Sequence, residues 1–406
     1  MNKKQRNLCP FCFHKSDKWE EYWYCPHCKE LNSKEQDGKL PIKCPKCEKP
    51  VSESDINIKM RVCTNCKSIV PKEFDECDEI FPIAVVGPTR SGKTHFLTVM
   101  AHKLLEEKIW GDYWSAVRVI RQEIVTTMGV KKSTQRDDYL NFDEILYNPN
   151  THDTLQGTDL DAKICSLLIE LTYKRGVVNC FKEPWKKKKI LLALSDTAGE
   201  GLNRQHWSEI TDRYPIFNNH VKAVIAMVDP LELSKISDEA KDKDLQTEYI
   251  NMGIWPEDGS MPKITARGVM SNPIFEKRME HYPVAWCMTK TYALMKLNKI
   301  IKDTTLEKSQ GALSGDDGTS KTSGKVMIEG VDGLEGLCEV SEQTKNFIEV
   351  HGGEKFPTDY GYHCYFAVDA LGESYHDGVR HGLPQPRRIL DPLLWILWQY
   401  GLCGGR

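Results

Sequence analysis

Five apolar runs, each bounded by polar or turn-forming residues, dominate the hydrophobic pattern of the chain. They cover residues 80–86, 190–194, 222–228, 283–288 and 362–368. Continuous apolar runs of this length predict strands that are buried on both faces, as in a parallel sheet. Residues 95–107, which follow the first run, instead carry apolar side chains at helical spacing. Buried strands that alternate with helical segments predict an α/β fold.

The segment between the first apolar run and this helix fits the phosphate-binding loop pattern G-x-x-x-x-G-K-[ST]. Glycines allow the backbone to curl, so that successive N–H groups point at phosphate oxygens. The lysine would reach the β- and γ-phosphates, the following hydroxyl would ligate Mg²⁺, and the positive end of the helix would favour the anion. The predicted nucleotide-binding residues are Gly87, Pro88, Thr89, Arg90, Ser91, Gly92, Lys93, Thr94 and His95, with Lys93 also catalytic.

A second signal, D-T-A-G, follows the apolar run at 190–194. Asp196 at the end of a strand can hold Mg²⁺, and Gly199 can donate its backbone N–H to the γ-phosphate. Glu200 is predicted either to orient the attacking water as a catalytic residue or to cap a helix. The remaining Mg²⁺ ligand is expected in the polar segment 148–158, where Thr151, Thr154 and Thr158 all fit and Thr158 is chosen because it lies nearest the next strand.

The two motifs together resemble those of the translation-factor-related GTPases. Residues 165–174 and 190–194 are similar to the antiparallel hairpin of that class. Residues 384–397 are similar to the end of the bacterial double-GTPase families, which occur in conflict-system operons. The resemblance covers residues 78–400. It implies a three-layer P-loop NTPase fold and a switch that binds and slowly hydrolyses GTP with Mg²⁺ in a bacterial defence system.

The base-recognition motif of that family, [NT]-K-x-D, is only partly matched. Thr289 and Lys290 fit the motif, and the resemblance makes them nucleotide-binding residues. Tyr292 stands where the family has an Asp that accepts two hydrogen bonds from guanine. The resemblance makes GTP the expected ligand, and the missing Asp leaves ATP or relaxed specificity as the alternative. Residues 369–372 are predicted to form the last loop that contacts the base.

Four CxxC pairs near the start of the chain predict two metal sites. The two-residue gap lets both sulfurs face one metal, and two such knuckles complete a tetrahedral zinc site. Pairing the first knuckle with the second and the third with the fourth predicts a tandem zinc-ribbon module with two Zn²⁺; a cross-brace of first with third and second with fourth is the alternative. Cys77 is predicted to be a spare thiol. The predicted ligands are Cys9, Cys12, Cys25, Cys28, Cys44, Cys47, Cys63 and Cys66.

The zinc module is assigned to residues 1–76 and the nucleotide domain to residues 77–406, with insertions near 230–280 and 303–340. The ribbons could bind a partner protein, serve only as structure, or bind nucleic acid through aromatic residues such as Trp23.

The composition narrows the choice of partners and location. Fifteen cysteines without a secretory signal indicate thiolate sites in a reducing cytoplasm. A net charge of −3 gives no general indication of nucleic-acid binding, and no apolar run is long enough to span a membrane. A homodimer through the nucleotide domain remains open. A nucleic-acid-associated NTPase and a nucleotide-binding scaffold with little hydrolysis are the competing functions.

Overall fold

A seven-stranded sheet forms the centre of the protein in the computed structural model. The structure describes residues 7–15, 19–28, 30–33, 43–52, 59–88, 90–105, 114–126, 129–132, 139–150, 155, 166–173, 189–197, 216, 220–256, 265–270, 282–297, 341, 344–351, 362–372, 375–376 and 379–402.

The strands are numbered in chain order. They are β1 Glu20–Tyr24, β2 Leu31–Ser33, β3 Lys59–Val62, β4 Glu79–Val86, β5 Trp114–Ile120, β6 Glu123–Thr126, β7 Gly129–Lys132, β8 Ser166–Tyr173, β9 Lys189–Asp196, β10 Ala223–Val228, β11 Pro283–Met288, β12 Tyr362–Ala367, β13 Tyr375–His376 and β14 Val379–Arg380. The helices are α1 Lys72–Glu76, α2 Lys93–Leu105, α3 Tyr139–Leu146, α4 Ser234–Ala240, α5 Lys243–Asn251, α6 Ala266–Met270, α7 Thr291–Leu297 and α8 Asp391–Gln399; Pro230–Glu232 forms a short 3₁₀ turn.

The central sheet is mostly parallel. Its strand order is β12-β11-β10-β4-β9-β8-β5. The strands β12, β11, β10, β4 and β9 run parallel, and they correspond to the five apolar runs of the sequence. The strands β8 and β5 continue the sheet with antiparallel pairing, so the hairpin predicted from residues 165–174 and 190–194 is confirmed. The predicted α/β class is confirmed as well.

Helices cover both faces of the sheet. Alternate residues of each strand point to opposite sides, and both sets are apolar and buried. On one face, Phe81, Ile83 and Val85 of β4 share a buried core with α2 and α8. On the other face, Ile80 and Ala84 share a core with residues of α4, α5 and α6.

The last helix, α8, closes the first of these faces. Pro392 lies in its first turn, where a missing N–H costs nothing. Leu393 and Ile396 are fully buried. At the start of the helix, Arg388 Nε donates to Asp391 Oδ2 at 2.7 Å, and both side chains are buried. A buried pair of this kind costs desolvation energy, so it fixes where the helix begins more than it adds stability.

The strands that were not predicted include the edge strand of the central sheet and a separate hairpin. The edge strand β5 has exposed and half-buried positions mixed along its length, so it lacks a continuous apolar run. The β6–β7 hairpin is short and stands apart from the central sheet.

Two predicted insertions have different outcomes. The described part of the first insertion forms the 3₁₀ turn, α4, α5 and α6. The insertion near 303–340 lies outside the described residues.

In the described part of the chain, no helix has the length and apolar character needed to cross a membrane.

Gly372 provides a sharp test of the packing beyond β12. Its φ is +59°, and a Cβ at this position would lie 2.0 Å from Gln385 O. Gly382 also has a positive φ, +82°, but a Cβ there would meet nothing within 4 Å. We expect Gly372→Ala to lower the thermal unfolding midpoint clearly more than Gly382→Ala, by a margin equivalent to about 1–3 kcal/mol, because only the first change adds a backbone clash to the strain of a positive φ. Equal midpoints for the two variants would contradict this packing.

Candidate functional site

The loop between β4 and α2 has a backbone that only particular residues tolerate. Gly87 has a φ of +155°, and a Cβ there would lie 2.7 Å from Met227 O of the neighbouring strand β10. Arg90 and Gly92 have φ values of 69° and 82°. A Cβ at Gly92 would meet nothing within 4 Å, so it is the positive φ at this position that favours glycine. Thr89 lies outside the described residues.

Lys93 folds back over this loop. Its Nζ donates to Gly87 O at 3.0 Å and to Pro88 O at 2.7 Å, and the residue is only 6% exposed. Burial lowers the pKa of the Lys93 ammonium, whereas the carboxylates of Asp196, Asp229 and Glu232 act in the opposite direction. The loop therefore holds a desolvated cation whose present acceptors are backbone carbonyls.

Thr94 and Asp196 meet at the same edge of the sheet. Thr94 Oγ1 donates to Asp196 Oδ2 at 2.8 Å, and both residues are buried. The contact forms because β9, which ends at Asp196, pairs directly with β4. Thr197 Oγ1 donates to Val85 O at 2.7 Å and fixes the chain that follows β9. Two of the three residues predicted to bind Mg²⁺ thus lie together.

Three further predicted site residues are not described. Gly199, Glu200 and Thr158 lie outside the described residues. Their assigned roles in phosphate contact, water orientation and Mg²⁺ binding stay predictions.

The side chain of His95 contacts the segment that was predicted to carry the threonine ligand. Leu155 N–H donates to His95 Nε2 at 3.1 Å. Burial lowers the pKa of His95 to about 4, and the charges of Lys290 and Arg380 contribute in the same direction. Nε2 is therefore an unprotonated acceptor at neutral pH. The side chain anchors residue 155 to the start of α2, while the predicted backbone contact of His95 with a nucleotide stays a prediction.

An acidic pair follows β10 and was not predicted as part of the site. Asp229 is 1% exposed, and its Oδ2 accepts from Lys290 Nζ at 3.0 Å. Its Oδ1 accepts from Leu231 N–H, and Glu232 Oε1 accepts from the N–H of Asp229, which completes a capping box. Burial raises the pKa of Glu232 well above its usual value. The position of Asp229 directly after an apolar run, which also marks Asp196, was the available sequence signal.

The predicted base-recognition residues lie at the end of β11. Both the N–H and the Oγ1 of Thr289 donate to Val228 O, at 3.1 and 3.2 Å, so this side chain joins β11 to β10. Lys290 adopts a φ of 55° and pairs with Asp229. Tyr292 N–H donates to Asp369 Oδ2 at 2.9 Å, directly beyond β12.

All these residues lie at one edge of the sheet because β9, β4, β10, β11 and β12 are parallel, and their carboxyl ends coincide. In open α/β sheets, ligands bind in the crevice at this edge. A scan against models of known protein families gives no match, and a search of curated proteins gives no significant match.

Eight cysteines in the amino-terminal part of the chain form two clusters. One contains Cys9, Cys12, Cys63 and Cys66, and the other contains Cys25, Cys28, Cys44 and Cys47. The sulfurs are 3.6 Å apart for Cys9–Cys66, 3.7 Å for Cys12–Cys63 and Cys25–Cys47, and 3.8 Å for Cys28–Cys44. Four sulfurs arranged tetrahedrally at a Zn–S distance of about 2.3 Å would be about 3.8 Å apart. The two groups are therefore positioned to hold two zinc ions.

The predicted order of pairing is wrong, and so is the cross-brace alternative. The first knuckle joins the fourth, and the second joins the third, so one site is nested within the other. The reason is the three-stranded sheet β2-β1-β3, in which β3 pairs antiparallel with β1. This pairing brings the chain before β1 next to the chain after β3. Sequence gaps between successive knuckles contain no information on that pairing.

The site formed by the first and fourth knuckles is part of the central core, and it is called the inner site for that reason, although its ligands flank those of the other site in the sequence. Its cysteines lie in the same buried cluster as Phe74, Ile80 and Leu168 of the sheet region. Ser166 Oγ, at the start of β8, donates to Phe11 O at 2.7 Å. This packing crosses the boundary predicted after residue 76, which itself stays a prediction.

The second site, here called the outer site, has a small core of its own. Trp23 and Val51 pack with Cys25 and Cys44, while Cys28 and Cys47 are partly exposed. Trp23 is only 1% exposed, so it supports this core and offers no free surface for stacking a base. Cys77 is buried outside both groups, and burial raises its pKa to about 12.

The unequal packing of the two sites predicts unequal consequences of losing a metal. We expect Cys63→Ser and Cys47→Ser each to lower the zinc content from about two to about one per chain, measured by mass spectrometry of the metal. Only Cys63→Ser should lower the thermal unfolding midpoint of the whole chain by many degrees. Cys77→Ser is the matched control and should retain both metals. The prediction fails if the two ligand variants melt alike.

Proposed function

We propose that the protein is a nucleotide-dependent molecular switch that binds GTP with Mg²⁺ and hydrolyses it slowly. The resemblance of its motifs to double-GTPase families extends the proposal to a role in bacterial defence. The cytoplasm is the proposed location, and a protein partner bound through the zinc module or the nucleotide domain is the proposed recipient of the signal.

The observation that carries the proposal is the grouping of Lys93, Thr94 and Asp196 around one loop. The ammonium is desolvated and held by two backbone carbonyls. Phosphate oxygens are stronger acceptors than these carbonyls, because their hydrogen bonds to an ammonium are assisted by charge on both sides. A triphosphate bound at the loop would therefore attract Lys93 away from Gly87 O and Pro88 O.

The hydroxyl of Thr94 and the carboxylate of Asp196 supply oxygen ligands of the kind that Mg²⁺ prefers. Bound Mg²⁺ would neutralise charge that develops on the phosphates. The hydrogen bond between the two side chains holds both oxygens at the loop before any ion arrives. This preorganisation supports the assignment of both residues to the Mg²⁺ site.

Two contacts suit a switch, since each connects a segment beside the loop to the loop's own scaffold. Leu155 is held by His95 of α2, and Thr197 is held by Val85 of β4. A ligand that moves α2 or the end of β9 would alter both segments. Ordering of such segments by a γ-phosphate and its Mg²⁺ is a general way to change which partner binds.

Hydrolysis is proposed to be slow, with Glu200 orienting the water. A scaffold with little hydrolysis remains the competing function. A nucleic-acid-associated NTPase has less support, because the net charge is −3 and Trp23 is buried within the outer site. GTP is the proposed ligand and ATP the alternative.

Substitution of Lys93 tests nucleotide binding. We expect Lys93→Ala to weaken GTP binding about 100-fold in calorimetric titration, because it removes charge-assisted hydrogen bonds to two phosphates. Lys103→Ala, on the same helix but two to three turns away, is the control and should bind as wild type does. Unchanged affinity in Lys93→Ala would refute the assignment of this loop. If wild type releases phosphate no faster than Lys93→Ala does, even with partners added, the scaffold with little hydrolysis is favoured.

The Mg²⁺ assignment makes a separate prediction for Thr94→Ala and Asp196→Asn. In excess Mg²⁺, both variants should bind GTP only as tightly as wild type does in the presence of EDTA, because each has lost a ligand or the group that positions it. The measurement is GTP affinity with and without the chelator. If either variant keeps the Mg²⁺ dependence of wild type, its side chain is not part of the metal site.

A further inference from the structure

A carboxylate bonded to the backbone of Tyr292 already accepts three hydrogen bonds. Asp369 follows β12 and is 6% exposed. Its Oδ1 accepts from the N–H groups of Leu371 and Gly372 at 3.1 and 2.7 Å, and its Oδ2 accepts from the N–H of Tyr292 at 2.9 Å. Three backbone donors fix this side chain as a turn-forming group. At most one acceptor position of the carboxylate is left, whereas the N1–H and the amine of guanine need two, so Asp369 does not replace the absent Asp of the base motif while these bonds are kept.

A cation occupies the place next to Tyr292. The Arg387 guanidinium lies 4.9 Å from the centroid of the Tyr292 ring, within the range of a cation–π contact. The backbone of Arg387 is held by two hydrogen bonds with Asp369, at 2.9 and 3.1 Å. The segment before α8 thus places an arginine beside the loop that follows β12. Both side chains are partly exposed at the crevice edge.

This pair lies at a suitable distance from the phosphate loop. The loop follows β4, Tyr292 follows β11 and Asp369 follows β12, which are two and three strands away. At about 4.8 Å per strand this is about 10–14 Å, comparable to the length of an extended nucleotide. The ion pair of Lys290 with Asp229 joins the chain after β11 to the chain after β10, which is the strand between β11 and β4.

We propose that Arg387, stacked on Tyr292, selects guanine by donating to its O6 and N7 atoms. This inference rests on the proposed function and specifies its base. A guanidinium offers donors in a planar fork and no acceptor, and the bidentate pairing of arginine with O6 and N7 is the commonest specific contact with guanine. An aspartate reads the opposite side of the base, because it accepts from the N1–H and the exocyclic amine.

The two modes of recognition differ in their response to inosine triphosphate. Inosine keeps O6 and N7 but lacks the exocyclic amine. Recognition by Arg387 predicts that GTP and ITP bind alike and that ATP, which presents an N6 donor in place of O6, binds about tenfold more weakly. Recognition through an acidic side chain predicts that ITP binds markedly more weakly than GTP.

The test is a set of competition titrations on the full chain with GTP, ITP, ATP and inorganic tripolyphosphate. Arg387→Ala should bring GTP and ITP down to the affinity of ATP and leave tripolyphosphate binding unchanged. Arg387→Lys should also lose the discrimination, because a lysine lacks the planar fork. Tyr292→Asp should create a preference for GTP over ITP. Arg118→Ala, which removes an exposed arginine of β5 paired with Glu73, is the matched control and should retain the wild-type pattern.

The outcomes separate this proposal from the proposed function. If wild type binds all the nucleotides equally, or if Arg387→Ala keeps the wild-type order, base selection by Arg387 is refuted while nucleotide binding stands. A loss of tripolyphosphate binding in Arg387→Ala would likewise refute it, since the arginine would then be acting on phosphate. If wild type binds neither tripolyphosphate nor any nucleotide more tightly than Lys93→Ala does, the proposed function itself fails.

Discussion

The burial of five parallel strands on both faces is the constraint on which the rest of the molecule depends. Parallel strands need long connections that run over the sheet, and these connections supply the helices that cover it. The same geometry brings five strand ends to one edge. The polar residues after β4, β9, β10, β11 and β12 therefore converge, although they are spread along the chain from Lys93 to Asp369. The position of the candidate site therefore follows from the parallel direction of these five strands.

The inner zinc site extends this core into the amino-terminal part of the chain. Its thiols and the sheet residues share one buried cluster, and Ser166 links the first knuckle to the beginning of β8. The strand β8 pairs with β9, which ends at Asp196. A short path of packed groups thus runs from the inner site to the candidate Mg²⁺ ligands. The outer site is peripheral, and two of its cysteines, Cys28 and Cys47, are partly exposed.

The sequence predicted the parts of the fold that local patterns determine. The five parallel strands were evident because each is a continuous apolar run, and the loop before α2 was evident because its glycines and Lys93 stand at fixed spacing. The edge strand β5 was missed because its partial exposure breaks the pattern. The knuckle pairing was wrong because it depends on the contact of β1 with β3, which are separated in the chain by residues 25–58. Arg387 was missed as a neighbour of Tyr292 because their proximity arises only from the pairing of residue 387 with Asp369.

The nesting of the two zinc sites also has a consequence for the order in which the chain assembles. The sulfurs paired across the outer site are separated by 16 and 22 residues, whereas those across the inner site are separated by 51 and 57 residues. The entropy lost on closing a flexible loop rises with its length, so the outer loop closes at a lower cost. Once closed, it shortens the effective chain that the inner loop must still span. During synthesis the outer ligands also leave the ribosome before Cys63 and Cys66 do. The peripheral metal would thus act as a template for the central one, although the folded protein depends on it less.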